Sequence, residues 1–182
     1  MTRCNLIVGA TCVILGAFLM CGCGGKIKPS VLPGLDSKTM PQQESWNSTI
    51  ILSDSGRLQA RILAGYIQKY DGPQDTQMSD GVIVHFFNDS GKQTSVMTAK
   101  RGRVNEQTYN IEADGDVLVV SDDSTKLRSE RLFWDNKRQL IYTEEYVYVT
   151  SPKEKVQGRG FESDQRLHNY RIFKVTAQVH GN

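Results

Sequence analysis

The feature that most constrains this chain is a two-residue alternation of apolar side chains that recurs at a longer period. Val82, Val84 and Phe86 alternate with Ile83, His85 and Phe87. Val117 and Val119 alternate with Leu118 and Val120, and Val147 and Val149 with Tyr146, Tyr148 and Thr150. Alternating β-branched and aromatic residues fit a pleated surface with one buried face. Turn chemistry separates the runs, at Asp71-Gly72-Pro73, Asn88-Asp89-Ser90-Gly91, Asp114-Gly115 and Ser151-Pro152. The spacing predicts about ten strands. No long amphipathic helix is expected, and Gln42 to Asn47 is a candidate for a short turn.

The strands also repeat. Met97-Thr98-Ala99 aligns with Leu127-Arg128-Ser129 thirty residues on, Val104-Asn105 with Trp134-Asp135, and Ile111-Glu112-Ala113 with Ile141-Tyr142-Thr143. A further copy, offset by 29, sets Val156, Gly158, Phe161 and Asp164 over Leu127, Ser129, Leu132 and Asp135. Leu58-Gln59-Ala60 resembles the start of an earlier copy. Each unit is too short to bury its own apolar face, so units stack. The expectation is an all-β fold with two layers around an apolar interior. Asn105, Asp135 and Asp164 are read as turn-closing residues, not as a calcium ladder, because each turn offers one such side chain and calcium takes six to eight oxygens.

The N-terminus is of another kind. Arg3 precedes an apolar run from Leu6 to Met20, then Cys21-Gly22-Cys23, the order of a secretory signal. The segment resembles a lipobox, with Cys23 as the residue to be lipidated and residues 1–22 removed. The run from Leu6 to Gly25 is also long enough to cross a bilayer uncleaved, with Arg3 left on the cytoplasmic side. Either way the body lies outside the cytoplasm, tethered to a membrane. Residues 23–45 have linker composition, with Gly24, Gly25, Pro29, Pro33, Gly34 and Pro41, and a reach of about 25 Å. The folded domain is expected over residues 46–180.

Composition removes several function classes. The 22 basic and 20 acidic residues are interspersed, which argues against a nucleic-acid surface. All four cysteines precede residue 24, so the body has no disulfide and no thiolate metal site. His85, His168 and His180 are scattered without metal-ligand spacing, and Asp122-Asp123 and Glu144-Glu145 read as solvated hairpin ends. No nucleophile elbow or phosphate loop is present. No catalytic residue, metal or cofactor is therefore expected.

Met40-Pro41-Gln42-Gln43-Glu44 leading into Ser53-Asp54-Ser55-Gly56-Arg57-Leu58 resembles the opening of LptC domains. Asp80-Gly81-Val82 with Val84, Phe86, Phe87 and Gly91 resembles their next hairpin. Asp114 to Val119, Leu132-Phe133-Trp134-Asp135 and Val156 to Asp164 resemble the later repeats, so the likeness covers nearly all of residues 41–175. The resemblance implies a β-jellyroll of the kind shared with LptA-type domains. It also implies a place on the periplasmic face of the inner membrane. It further implies lipopolysaccharide as cargo, an inner-membrane ABC transporter (LptBFG-like) as donor and a periplasmic LptA-like bridge protein as acceptor. The apparent lipobox departs from the transmembrane helix of the best-known members.

On that reading one strand face lines the lipid's route. The candidates are Ile62, Val82, Val84, Phe86, Met97, Ile111, Val117, Val119, Leu127, Ile141, Val147 and Val149. Strands near Thr49 to Ala64 are expected to face the transporter, and those near Val156 to Val175 to pair with the bridge protein. Gly158 and Gly160 would permit close backbone approach there, the alternative being that they only mark a bulge. The alternative is an envelope β module with a filled core, serving as a structural or ligand-binding lipoprotein.

Overall fold

A computed structural model describes residues 40–70 and 74–180. Cys23, the signal segment, most of the linker and the Asp71-Gly72-Pro73 turn lie outside the described residues. Ten strands follow one another: β1 (Pro41–Asp54), β2 (Arg57–Tyr70), β3 (Asp75–Phe87), β4 (Gln93–Ala99), β5 (Arg101–Asn105), β6 (Ile111–Ser121), β7 (Lys126–Asp135), β8 (Leu140–Thr150), β9 (Glu154–Asp164) and β10 (Arg171–His180). They form one antiparallel sheet in the order β1-β2-β3-β4-β6-β7-β8-β9-β10, with β5 pairing β3 and β6. This is the all-β, jellyroll-like class expected from the alternation. The first strand starts earlier than expected. Residues 41–45, assigned to the linker, and the candidate turn Gln42–Asn47 are strand, with Gln43, Glu44 and Ser45 opposite Lys69, Gln68 and Ile67. Pro41 is tolerated because the first residue of an edge strand need not donate to a ladder.

Each long strand bends near its middle. The pairing slips between Ala64 and Tyr66, Asp114 and Val117, Ser129 and Phe133, and Thr143 and Tyr146. Left-handed residues mark the same level: Asn47 (φ 50°), Asp80 (58°), Gly81 (89°), Gly115 (83°), Asp116 (49°) and Gly160 (76°). An extra residue in one strand kinks it and raises its twist. In β3 the two halves therefore take different partners, Asp75–Met78 on β5 and Val82–Phe87 on β4. The sheet is thus folded along a line into two layers. The upper layer contains β4 and the Val82–Phe87 half of β3, the lower contains β5 and the Asp75–Met78 half. The layers face each other, since the rings of Phe86 (upper) and Trp134 (lower) lie 5.0 Å apart.

This geometry corrects two expectations. Asp114-Gly115 does not separate strands, and Glu144-Glu145 is not a hairpin end. They sit inside β6 and β8, at the bend. Asp-Gly supplies positive φ equally well to a tight turn and to a mid-strand bulge.

The repeat becomes a row of facing side chains. Ile50, Ile62, Val84, Met97, Val119, Leu127, Val149 and Val156 are successive cross-strand partners through the upper layer. Met97, Leu127 and Val156, equivalent in the repeat, share this row because each unit contributes two strands. Val104, Ile111, Trp134, Ile141 and Ser163 form the matching row below. Each fully buried aliphatic side chain contributes about 1.5–3 kcal/mol, so stacking supplies what a single unit lacks. The turn residues act locally as expected. Asn105 Oδ1 accepts from the Gln107 and Thr108 amides, Asp135 Oδ1 from Arg138, and Asp164 Oδ1 from Arg166 and His168.

Candidate functional site

All twelve interior candidates belong to one buried cluster, and none is more than 2% exposed. The alternation thus assigns the inward face on each of these strands. In this conformation the twelve side chains pack on one another and do not line an open trough. The interior instead opens at the β1 edge, into a cleft of about 350 Å³. Its apolar wall comes from both layers, Ile50 and Leu52 above and Ile67 and Val104 below. Its rim is polar. Lys69 Nζ lies 2.6 Å from Glu106 Oε2, and the Thr76 hydroxyl donates to Glu106 Oε1 at 2.8 Å. Lys69 first, then Thr76, hold the Glu106 carboxyl below the usual carboxylate range. Sequence reasoning missed Lys69, Glu106 and the cleft. They are far apart in the chain, and only the strand order brings them to one mouth.

Among the described residues the sheet has two free edges, β1 and β10. Of the segment expected to face a partner first, Thr49–Asp54 lies on the β1 edge, whereas Ala60 to Ala64 is paired with β1 on one side and β3 on the other. Trp46 and Ile51 are exposed on β1, and Phe173, Val175 and Val179 on β10. Gly158 and Gly160 are not at a free edge, because β9 is flanked by β8 and β10. Their smallness serves this chain's own last strand. A Cβ at Gly158 would lie 2.3 Å from the Lys174 carbonyl oxygen, and one at Gly160 would lie 2.9 Å from Phe173 Cδ2.

Opposite the bend, the β9–β10 turn reaches from the lower layer to the upper. Arg166 Nη2 lies 3.0 Å from Asp122 Oδ2, which Lys92 also meets at 3.3 Å. His168 Nε2 lies 3.3 Å from Asp123 Oδ2, and the Thr94 hydroxyl donates to Gln165 Oε1 at 3.2 Å. Tyr170 donates to Glu154, and burial with that carboxylate holds its phenol well above the usual range. The Ser121 hydroxyl and Thr125 amide bring the Asp123 carboxyl down to about 2. Between these contacts Leu167, at φ 56°, is only 1% exposed and joins the core cluster. In the interior, Ser95 Oγ, Trp134 Nε1 and Ser163 Oγ are buried without a hydrogen-bond partner.

Other polar groups pair with one another along the sheet. His85 Nδ1 contacts Gln93 Oε1 at 2.8 Å on the surface. Arg103 pairs with Glu112, and Arg131 with Asp114, across neighbouring strands of the lower layer. Among the described residues no group of three or more His, Cys, Asp or Glu could hold a metal, and no helix is long and apolar enough to cross a membrane.

Among curated proteins none matches the chain. Its sequence does match the family described as lipopolysaccharide-assembly, LptC-related, over residues 33–181, which takes in the whole folded sheet. The chain belongs to the LptC family, whose members serve lipopolysaccharide transport as periplasmic proteins anchored at the inner membrane.

Proposed function

We propose that this chain receives lipopolysaccharide from the inner-membrane ABC transporter at its β1 edge, passes the acyl chains along its interior and delivers them at β10 to a periplasmic LptA-like bridge protein. The supporting observation is the inner row from Ile50 to Val156, unbroken across the sheet between two free edges. Shielding a methylene from water is worth about 0.8 kcal/mol, so a several-chain lipid needs such a continuous apolar path. The row offers no fixed polar stop in the upper layer, which suits sliding. Free edges suit addition of a partner's strand, whose main-chain bonds continue the sheet and its inner face. The tether in this reading is acylated Cys23, and intact-mass measurement of the mature protein distinguishes it from an uncleaved helix.

The tight packing of the twelve interior residues favours a second reading, an envelope module with a filled core. Photo-crosslinkers at Val84, Val119 and Val149 separate the two. Transport predicts lipopolysaccharide adducts at these positions that depend on ATP hydrolysis by the transporter. Absence of adducts from the whole inner face would defeat it.

A further inference from the structure

We infer that the Gln165–Tyr170 turn is a latch, which holds the two layers together opposite the bend and must release before an acylated amphiphile can occupy the interior. The inference rests on reading the interior as a lipid's route. Three observations carry it. The first is that one short turn supplies a set of contacts between the layers. Arg166, His168, Gln165 and Tyr170 reach Asp122, Asp123, Thr94 and Glu154, all in the upper layer or at its tips. The second is Leu167. A β-turn residue normally points to water, yet this one is 1% exposed and held in the left-handed region, so it stoppers the interior from the tip side.

The third is the state of the interior behind the turn. Ser95 Oγ, Trp134 Nε1 and Ser163 Oγ are buried and unpartnered. Each such group has given up its hydration without gaining a partner in return. An acyl chain with ester, amide or hydroxyl oxygens would satisfy them, the indole as donor and the hydroxyls as donor or acceptor. The contacts of the latch are also of the right strength to let go. Arg166 and His168 are roughly two-fifths exposed, and an ion pair made by an exposed side chain, as at Arg166, is weak and screened by salt.

The test uses the full chain with Trp46→Phe, which leaves Trp134 as its one tryptophan. Energy transfer from Trp134 to cis-parinaric acid, a fluorescent fatty acid, reports filling of the interior. The double variant Arg166→Ala/His168→Ala is expected to speed uptake by about two- to thirty-fold, from loss of the Arg166–Asp122 ion pair together with the His168–Asp123 contact. Arg57→Ala, which removes a pair between tips of the upper layer alone, should leave uptake unchanged. Raising the salt should speed uptake by the unmodified latch and not by the double variant, a comparison that needs no further substitution. Equal rates with and without the latch pairs, or the same acceleration in Arg57→Ala, would overturn the inference. Uptake of a free fatty acid requires neither transporter nor lipopolysaccharide. Failure of the latch would therefore leave adducts at Val84 intact, and loss of those adducts would leave this rate difference intact.

Discussion

Replacing Gly158 with alanine tests how the last strand is held. The new Cβ would lie 2.3 Å from the Lys174 oxygen, 2.6 Å from Ile172 Cγ2 and 2.9 Å from Val175 Cα. Two of these three atoms are backbone, so a rotamer change cannot relieve the contact. Restoring ordinary separation of 3.4 Å from the oxygen means moving β10 by 3.4 − 2.3 = 1.1 Å. Overpacking of this kind costs about 1–3 kcal/mol, and each ladder bond lost adds about 1 kcal/mol. Because β10 pairs with β9 alone among the described strands, the least costly relaxation is for Lys174 to His180 to lift away. We expect a loss of about 2–4 kcal/mol, seen as a fall in Tm of about 5–15 °C. Hydrogen exchange should quicken at least about tenfold from Val175 to His180, and much less in β6 and β7. Gly56→Ala is the comparison, since a Cβ there meets nothing within 4 Å and only the positive φ opposes it. If Gly158→Ala melts with Gly56→Ala and its last strand exchanges normally, the claim that these glycines seat β10 is wrong.

Two further predictions address the faces and the latch. Val84 is fully buried while its neighbour Ile83 is 39% exposed, so urea melts should show a loss of about 2 kcal/mol for Val84→Ala and under about 1 kcal/mol for Ile83→Ala; equal losses would reverse the faces. Asp123 has a folded pKa of about 2, below its unfolded value, so its contribution is complete above about pH 4 and disappears as pH falls through 2. With 44% of its side chain exposed, screening limits that contribution to about 1 kcal/mol or less. Asp123→Asn should therefore lower stability slightly at neutral pH, and the gap from the unmodified protein should close by about pH 2.

Much of the fold was legible in the alternation, because a half-buried strand must put every second residue inside. Val82, Val84 and Phe86 could face the interior only as a set, and they do. The repeat was legible for a similar reason, since stacked units need equivalent residues in one row. The bend was not. Asp114-Gly115 carries the same chemistry whether the chain reverses or merely kinks, and only the partner strands decide between them. The start of β1 was hidden by polar residues, which an edge strand accepts because one side of it meets water. Gly158 does meet backbone closely, but that of this chain's own β10, whereas Gly160 sits at positive φ against the Phe173 side chain. Leu167 gave no warning at all, because an apolar residue in a polar turn acquires meaning only when the facing layer is known.

The order of the strands bears on how such a protein is made. Apart from the β5 detour, each strand pairs with its predecessor in the chain. A polypeptide synthesised N-terminus first presents its strands in that same order. Every newly arrived strand then finds its template already assembled, and β10 closes a sheet that needs no distant segment to complete it. Synthesis and folding can run in one direction, with strands added at one edge while the β1 edge stays open.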